Sequence, residues 1–516
     1  MSTSEHFLTF SAQQFLAHTL RQGDSAMTDK TQPAITEEEF RPFLRLADHF
    51  SRPFLDQVEA WHVLVSSYGI NQAGKQPESK EEYLQFFAHC HDGWKRAQTE
   101  IAAFLVDALA QRAQADADEK ACRRKRDKEG QRTARLTRRG VELQIRVARR
   151  TLDVILWTIL RCEHSTMRRL IVRGGENSLS VENIKAGMTA ADDLNLEPLV
   201  MAVCSDMLSL VHVGDLVVVD ARTGRVQFAE LKAGDKNVRI AQLAEFAVSS
   251  QCEHFERLAT ADFNEIDKQH YARVKKQTER NATIISTINN EGGTDPRTGS
   301  RVHISSIDGP SEYWSEAIQR CYESLAPDKK WAIETVDNCV YVGVYTDQKM
   351  AFAGFKSWMK IIECDSPVFN LTDSFGIVSA RPLGAADLSE ELRMKVLRGE
   401  VLVVMCLDVR GFIELGNTIA PNSMRLASKA ETAQANQRMP LLQCLTLNDR
   451  VVCSETANGT SYIGVGMRDR ILFDQHRPLQ LLAHPIEFPK DDDPPQASAP
   501  SAAPGQMPGS EDAVRD

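Results

Sequence analysis

Apolar residues recur at helical spacing through the first part of the chain. Over residues 40–65 and 83–109 they stand three and four positions apart, which places them along one face of a helix. Between these segments Ser79 precedes two acidic residues, an order that is typical of the first turn of a helix. The pattern predicts a helical N-terminal region over residues 1–140.

The chain becomes apolar again over residues 141–163. Four apolar residues fall on one helical stripe there: Leu152, Ile155, Leu156 and Ile159. We take this segment as the first core helix of a second domain over residues 141–290. Residues 167–172 are then expected to form its first strand, and residues 178–206 to be mainly helical.

Short β-like runs dominate the third predicted domain, residues 297–488. These runs cover residues 339–345, 401–407, 451–454, 462–465 and 471–473, with helix-like segments at 351–359 and 388–397. The alternation predicts a strand-rich α/β or α+β domain, and it contains no motif of known chemistry. Residues 489–516 are rich in Pro, Ala, Ser and Asp, which predicts a disordered tail.

Two short strand-like runs with charged ends lie within residues 214–235, which read GDLVVVDARTGRVQFAELKAGD. Residues 216–219 are apolar and largely β-branched, and residues 226–231 alternate more loosely. Gly224 stands between the two runs, where a positive φ is useful. The pattern predicts a β-hairpin.

Two loop lengths are compatible with this hairpin, and each fixes a register. With a four-residue loop, Asp215 lies directly opposite Glu230. With a two-residue loop, Asp215 lies opposite Lys232 and diagonal to Glu230. Both registers bring the three charged side chains together, since directly opposite side chains lie about 5 Å apart.

A cluster of two carboxylates and one ammonium has a chemical use. Paired carboxylates repel each other and need a cation when they are partly buried. Mg²⁺ suits two carboxylates together with waters and a phosphate oxygen. A lysine can then act on the attacking water or on the charge that builds on phosphorus. The alternative is a surface hairpin whose Glu and Lys form an ordinary exposed pair.

The same stretch resembles the core motif of the PD-(D/E)XK, or restriction-endonuclease-like, nuclease superfamily. Asp215 matches the Asp of the motif, and Glu230, Leu231 and Lys232 match its Glu-x-Lys, while Gly214 stands in place of the Pro. The resemblance covers about 20 residues directly. It implies a mixed sheet flanked by helices over roughly residues 145–290, within an α/β (α+β) multidomain protein.

The resemblance also implies roles for these residues. Asp215 and Glu230 would hold Mg²⁺ (or Mn²⁺), and Lys232 would assist the nucleophile. Members of the superfamily usually add an acidic metal ligand from the first helix. Glu163 and Glu197 are the candidates for that ligand, and we favour Glu163.

A helix after the Glu-x-Lys strand often completes such sites with a Gln or a basic residue. Gln277 and Arg280 lie one turn apart on a predicted helix over residues 271–288. Gln277 would orient the water or a phosphate, and Arg280 would contact nucleic acid. Gln242 competes for the role of Gln277, and an exposed polar helix is the alternative.

The charge is distributed unevenly. The formal net charge of the 516-residue chain is −10, yet residues 120–150 contain 13 Lys or Arg and three acids. The run includes four consecutive cations: Arg123, Arg124, Lys125 and Arg126. Such a helix can track a phosphate backbone without reading sequence, so we predict a basic, nucleic-acid-binding arm over residues 120–150. A solvated, charged helix face is the alternative. We expect the arm to continue the preceding helix, with a break at Gly130 or Gly140.

Cysteine usage and hydropathy point to a reduced, soluble setting. The eleven cysteines include no C-x-x-C pair, and the longest apolar run, residues 401–407, is too short to cross a bilayer. The N-terminus lacks a basic region followed by an apolar core. We therefore expect a cytoplasmic protein with no membrane partner.

Together these features favour a Mg²⁺-dependent nuclease that acts on nucleic acid, with DNA as the expected substrate. One rival is a catalytically inactive module of the same fold that binds nucleic acid or assembles complexes. A second is a structural protein with a coincidental hairpin. By analogy, a soluble nuclease without a motor domain fits mobile-element, repair or antiviral-defence roles in a microbe. An oligomer or a protein partner is compatible with either nuclease-fold interpretation.

Overall fold

The fold is taken from a computed structural model of the chain. The structure describes residues 37–160, 162, 167, 170, 179–211, 214–231, 235–289, 292–294, 301–303, 311–438, 443–456 and 459–483. The predictions for the tail at 489–516 lie outside these residues.

Helices account for most of the described chain. They are α1 (Glu37–Phe40), α2 (Arg52–His62), α3 (Tyr68–Ala73), α4 (Lys80–Lys125), α5 (Lys128–Ile159), α6 (Val181–Leu194), α7 (Asp235–Ser250), α8 (Glu253–Ala259), α9 (Glu265–Asn289), α10 (Ser315–Glu323), α11 (Gln348–Ile361), α12 (Glu390–Leu397), α13 (Val409–Ile419), α14 (Lys429–Arg438), α15 (Val465–Leu472) and α16 (Pro478–Ala483). A π-helical segment, Val63–Ser67, joins α2 to α3.

The strands form small sheets. They are β1 (Val200–Cys204), β2 (Leu216–Asp220), β3 (Arg225–Ala229), β4 (Gly292–Thr294), β5 (Arg301–His303), β6 (Trp331–Val336), β7 (Val340–Tyr345), β8 (Val368–Asn370), β9 (Leu402–Leu407), β10 (Met424–Leu426), β11 (Thr446–Leu447), β12 (Arg450–Thr456) and β13 (Gly459–Tyr462). The sheet orders are β1-β2-β3, β4-β5, β6-β7-β9-β8 and β10-β12-β11, with β13 also paired to β12.

The strand pairings confirm the coarse fold class and correct one detail. The chain mixes helices with several small sheets, as predicted. Every strand pairing among the described residues is antiparallel, so the mixed sheet expected over residues 141–290 is not seen there. In the same described ranges, no helix has both the length and the apolar character needed to cross a bilayer.

Helices α4 and α5 form a long helical hairpin. Ser79 caps α4 by accepting a hydrogen bond from the Glu82 N–H (3.2 Å), which confirms the predicted helix start. The helix ends at Arg126, which takes a left-handed backbone with φ 55°. The Asp127 carboxylate then caps α5 by accepting from the Gly130 N–H (2.9 Å). The predicted break at Gly130 or Gly140 is therefore wrong by a few residues.

A large apolar core runs from the helical hairpin to the C-terminal part. One cluster of buried side chains includes Trp61 of α2, Leu105 of α4, Val203 of β1 and Val342 of β7. Helix α5 also continues unbroken through residues 140 and 141. The core thus draws side chains from each of the three predicted domains.

A fully buried ion pair holds α5 to segments remote in sequence. The Arg150 guanidinium lies 2.8 Å from the Asp153 carboxylate, and neither side chain is exposed. Arg150 also donates to the carbonyl oxygens of Ser374 (3.1 Å) and Val378 (3.2 Å). Asp153 accepts from the Ser209 N–H (2.8 Å). These bonds connect α5 to the segment between β1 and β2, which contains Ser209, and to the C-terminal part.

The sheet β1-β2-β3 has one edge covered by amide side chains. Along β1, Gln98 of α4 donates to the Ala202 carbonyl (3.1 Å) and accepts from the Cys204 N–H (2.9 Å). Asn195 accepts from the Ala202 N–H (2.8 Å). Covering an edge strand in this way satisfies backbone groups that would otherwise be open to pairing.

Two sequence predictions before the hairpin need correction. Residues 178–206 are only partly helical, because β1 follows α6 within that segment. The predicted strand at 167–172 lies mostly outside the described residues, and the two described positions, Met167 and Leu170, are helical.

The C-terminal part follows most of its predicted runs. Strands β7, β9 and β12 fall on the predicted runs 339–345, 401–407 and 451–454, and helices α11 and α12 fall on the two predicted helical segments. Only the start of run 462–465 is strand, as the end of β13. Run 471–473 was predicted as a strand, but residues 471 and 472 end α15.

Candidate active site

The hairpin has the first of the two predicted registers. Asp220 pairs with Arg225, and Leu216 pairs with Ala229, across a four-residue turn in which Gly224 has φ +65°. The strand pairing ends at Leu216 and Ala229, and Asp215 and Glu230 are the residues directly beyond it at the open end of the hairpin. The four-residue loop is therefore confirmed.

Asp215 is held at the open end of the hairpin by three bonds. Its N–H donates to the Ala229 carbonyl (2.8 Å), and its own carbonyl accepts from the Ser205 N–H (2.9 Å). Its carboxylate oxygen Oδ2 accepts from the Leu231 N–H (2.6 Å). These bonds fix the Asp215 side chain beside the residue that follows Glu230.

Gly214 explains the departure from the Pro of the motif name. Its φ is +70°, a conformation that Pro cannot adopt. A Cβ at Gly214 would also lie 3.1 Å from the Ala229 carbonyl oxygen and 3.2 Å from the Phe228 Cβ. The chain thus needs a glycine here to bring Asp215 onto the end of β3.

Glu230 accepts hydrogen bonds from two amide side chains of α9. Its Oε1 accepts from Gln277 Nε2 (2.8 Å) and from Asn281 Nδ2 (3.0 Å). The structure therefore brings the predicted Gln277 to the predicted Glu230. Asn281 was missed by the sequence analysis, although it lies four residues after Gln277 and hence on the same helical face.

The competing candidates lie elsewhere. Gln242 is exposed on α7, and Arg280 makes no hydrogen bond to Asp215 or Glu230 among the described residues. Glu197 precedes β1 near Val200, which pairs with Asp220. It therefore lies at the opposite end of the sheet from Asp215, which rules it out as a ligand beside Asp215.

Two predicted site residues, Lys232 and Glu163, lie outside the described residues. Among the residues that are described, no group of three or more His, Cys, Asp or Glu side chains could hold a metal ion. Two carboxylates at this end of the hairpin nevertheless suit Mg²⁺, which commonly takes one or two carboxylates and keeps several waters. Asp215 and Glu230 thus fit the hard, oxygen-based donor set that the resemblance implies.

Electrostatics at the two ends of β2 differ. At the turn, hydrogen bonds from the Arg222 side chain lower the pKa of Asp220, so that pair is already neutralised. Beside Asp215, burial raises the pKa of the Cys204 thiol to about 11, with smaller contributions from Asp206 and Asp215. A protonated thiol is a poor nucleophile, which argues against cysteine chemistry at this edge.

The basic arm is exposed at its tip and at later cations as well, including Arg132, Arg139 and Arg146. Arg123, Arg124, Lys125 and Arg126 are all exposed where α4 meets α5. Two further cations of the segment are not available to a phosphate: Arg150 is fully buried, and Arg149 donates to the carbonyl oxygens of Asp206 (3.3 Å) and Met207 (3.4 Å). The exposed cations of the predicted arm over residues 120–150 therefore end at Arg146.

Comparison of the chain with protein-family models, curated proteins and solved structures gave no match.

Proposed function

We propose that the protein is a metal-dependent nuclease that hydrolyses phosphodiester bonds, with DNA as its substrate and a restriction-endonuclease-like domain around the hairpin. The observation that carries the proposal is that the Asp215 carboxylate is bonded to the residue next to Glu230, while Glu230 is itself held by Gln277. That arrangement joins β2 and β3 to α9, and Gln277 lies 47 residues after Glu230 in the chain, a contact that a coincidental surface hairpin would not require.

The residues of the site would have two different roles, metal binding and activation of the attacking water. Asp215 and Glu230 would hold Mg²⁺ or Mn²⁺, which when bound polarises the phosphate and lowers the pKa of a water. Lys232 follows Glu230 by two residues, a spacing that puts two side chains on the same side of an extended chain. From there its ammonium would act on the attacking water or on the charge that builds on phosphorus.

Gln277 and Asn281 act as positioning residues in this proposal. Both amides donate to one oxygen of Glu230, so they fix the orientation of its carboxylate plane. Partners of this kind commonly matter to a metal site almost as much as the ligands themselves.

Removing these amides should weaken cleavage without abolishing it. Gln277→Ala and Asn281→Ala are each expected to lower the cleavage rate by about 10-fold to 100-fold, as is usual for such partners. The metal concentration for half-maximal rate should rise in both variants, a change that a purely structural defect would not produce. Gln242→Ala, on the exposed face of α7, is the matched control and should cleave at the wild-type rate. Equal rates in all three variants would contradict the positioning role.

The basic tip and the hairpin can contact one duplex only if that duplex is long. Gln98 of α4 touches β1, and from there to Lys125 the helix advances about 40 Å, at about 1.5 Å per residue. A duplex rises about 3.4 Å per base pair, so about a dozen base pairs span that distance.

Neutralising the tip should weaken binding to all sequences alike. Replacing Arg123, Arg124, Lys125 and Arg126 together with Gln is expected to flatten the salt dependence of the DNA affinity, by about one unit of slope for each lost phosphate contact. The loss should be large for a 30-base-pair duplex and small for an eight-base-pair duplex, by the spacing of about 3.4 Å per base pair.

The control for this experiment removes four exposed cations away from the helical hairpin: Lys329, Lys330, Lys360 and Arg410. That variant changes the net charge equally but should keep the wild-type salt slope. A wild-type slope in the tip variant would show that the tip is a solvated helix end.

Cleavage itself tests the proposed function. Purified protein should degrade plasmid, linear duplex or single-stranded DNA in Mg²⁺ or Mn²⁺, and should do nothing in EDTA. Cleavage of RNA but not of DNA in the same set of substrates would show that RNA is the substrate. Binding without cleavage in every metal would support the inactive nuclease-fold module and overturn the proposal.

A further inference from the structure

A cavity of about 490 Å³ lies away from the hairpin. It is lined by the π-helical segment and α3, by one face of α4, and by residues 381–393 of the C-terminal part, which include Asp387. Ligand sites of proteins commonly have volumes of about 300–1,000 Å³. None of its lining residues belongs to β1, β2 or β3, so the cavity is distinct from the candidate active site.

Two arginines face this cavity with donors that lack partners. Arg381 Nε and Nη1, and Arg393 Nε, are buried atoms without a hydrogen-bond acceptor in the part of the chain that the structure describes. Arg393 does donate its other nitrogens to the Ala386 carbonyl (3.2 Å) and to Ser67 Oγ (3.4 Å), which fixes the guanidinium in place. Buried guanidinium donors without acceptors are costly, and an oxyanion satisfies them in pairs.

The charge around the cavity favours an anion. Burial, and to a smaller extent Arg381, lower the pKa of Arg393, while Glu390 and Asp387 oppose that shift. Neither acid forms an ion pair with Arg393 in the part of the chain that the structure describes. Burial lowers the pKa of the adjacent His62 to about 3, so this imidazole is neutral near pH 7. The two guanidinium groups are therefore charges without a carboxylate partner in contact.

The rest of the cavity wall is apolar and aromatic. Phe86 and Trp94 line it from α4, and Tyr313 lines it beside Arg381, whose guanidinium carbon lies 5.5 Å from the Tyr313 ring centre. The Trp94 N–H is already bonded to the Val65 carbonyl (3.0 Å), which fixes the indole ring. A ring on the ligand would thus meet rigid aromatic surface next to two cations.

We propose that this cavity binds a small organic anion, in which one phosphate or carboxylate group pairs with Arg381 and Arg393 and an aromatic body packs against Phe86 and Trp94. The anionic group takes up the unpaired guanidinium donors, and the ring fills the apolar part of the cavity. This site goes beyond the proposed nuclease function and does not depend on it.

Titration calorimetry with four probes tests the proposal: phenyl phosphate, benzoate, phenol and inorganic phosphate. Phenyl phosphate or benzoate should bind measurably to the full chain, and the preferred one identifies the anionic group. Phenol and inorganic phosphate, which each carry only half of the recognition chemistry, should bind at least tenfold more weakly. Failure of both aromatic anions to bind would overturn the proposal.

Substitutions locate the binding. Arg381→Gln and Arg393→Gln should each lower the affinity for the aromatic anion at least tenfold. Arg410→Gln, on the exposed start of α13, should bind it with the wild-type affinity. Because the Arg381 guanidinium pairs with no carboxylate among the described residues, Arg381→Gln should keep or raise the melting temperature. Ile70 is exposed at the rim of the cavity, so Ile70→Glu should leave the fold intact. The added negative charge should also lower the affinity for the anion several-fold. Wild-type affinity in both Arg381→Gln and Ile70→Glu would show that the anion binds elsewhere.

Discussion

Asp215→Asn, Glu230→Gln and Lys232→Ala are each expected to lower the rate of cleavage by about a thousandfold or more, the scale set by several kcal/mol of lost transition-state stabilisation. The two amide substitutions are near-isosteric. The new amide oxygen at position 215 can still accept from the Leu231 N–H, and that at 230 can still accept from Gln277 and Asn281. The fold should therefore survive while the metal loses a negative ligand.

The three variants should fail in different ways. The two amide variants should bind Mg²⁺ more weakly, and Mg²⁺ should raise their melting temperatures less than it raises that of the wild type. Lys232→Ala should bind the metal normally and lose rate, because the ammonium acts on the water or on the phosphate. Asp220→Asn is the control, since it changes an aspartate at the far end of the same strand. Wild-type cleavage by all three site variants would make the hairpin ordinary scaffold.

The buried Arg150–Asp153 pair should produce the largest loss of stability. Asp153→Asn removes one charge from a fully buried pair and leaves Arg150 charged in the core, which typically costs about 3–5 kcal/mol of unfolding free energy. The carbonyl oxygens of Ser374 and Val378 would remain as its acceptors, but they carry no charge. Urea unfolding followed by circular dichroism measures the loss.

Asp56→Asn is the matched control for that experiment. The Arg52–Asp56 pair has the same length, 2.8 Å, but both side chains are more than half exposed. Breaking it should cost less than about 0.5 kcal/mol, because water screens and replaces such pairs. Similar losses of unfolding free energy in the two variants would show that the interior pair stabilises the fold no more than an exposed pair does.

The helical hairpin shows how far local patterns predict a structure. The long 3.6-residue periodicity located both helices correctly. The break was placed at a glycine, yet glycine inside a helix costs only about 1 kcal/mol relative to alanine. Asp127 instead supplies a side-chain cap for α5, and Arg126 takes the left-handed conformation before it. The capping residue Asp127 was the better indicator of where the second helix begins, and it can be read from the sequence.

Strand β1 was missed for a different reason. Its residues Met201 to Cys204 are buried on both faces, so they show no alternation that would distinguish a strand from a helix. The side chain that covers its edge, Gln98, comes from about a hundred residues earlier in the chain. No local pattern contains that contact.

The candidate site was predictable where the geometry is local. A hairpin obeys a register rule, so the pairing of Asp220 with Arg225 could be worked out from the four-residue loop. Gln277 came from the family resemblance, and its helical neighbour Asn281 follows from four-residue spacing. The exclusion of Glu197 could not be predicted, because it depends on the pairing of Val200 with Asp220 in a strand that was not expected.

Metal binding tests the central claim most directly, because it requires no knowledge of the nucleic acid. Mn²⁺ should be titrated into the wild type, Glu230→Gln and Asp220→Asn under the same conditions in a calorimeter. The account predicts saturable binding by the wild type and by Asp220→Asn, and binding at least tenfold weaker in Glu230→Gln. No binding by the wild type, or equal binding by all three proteins, would contradict a metal site at Asp215 and Glu230.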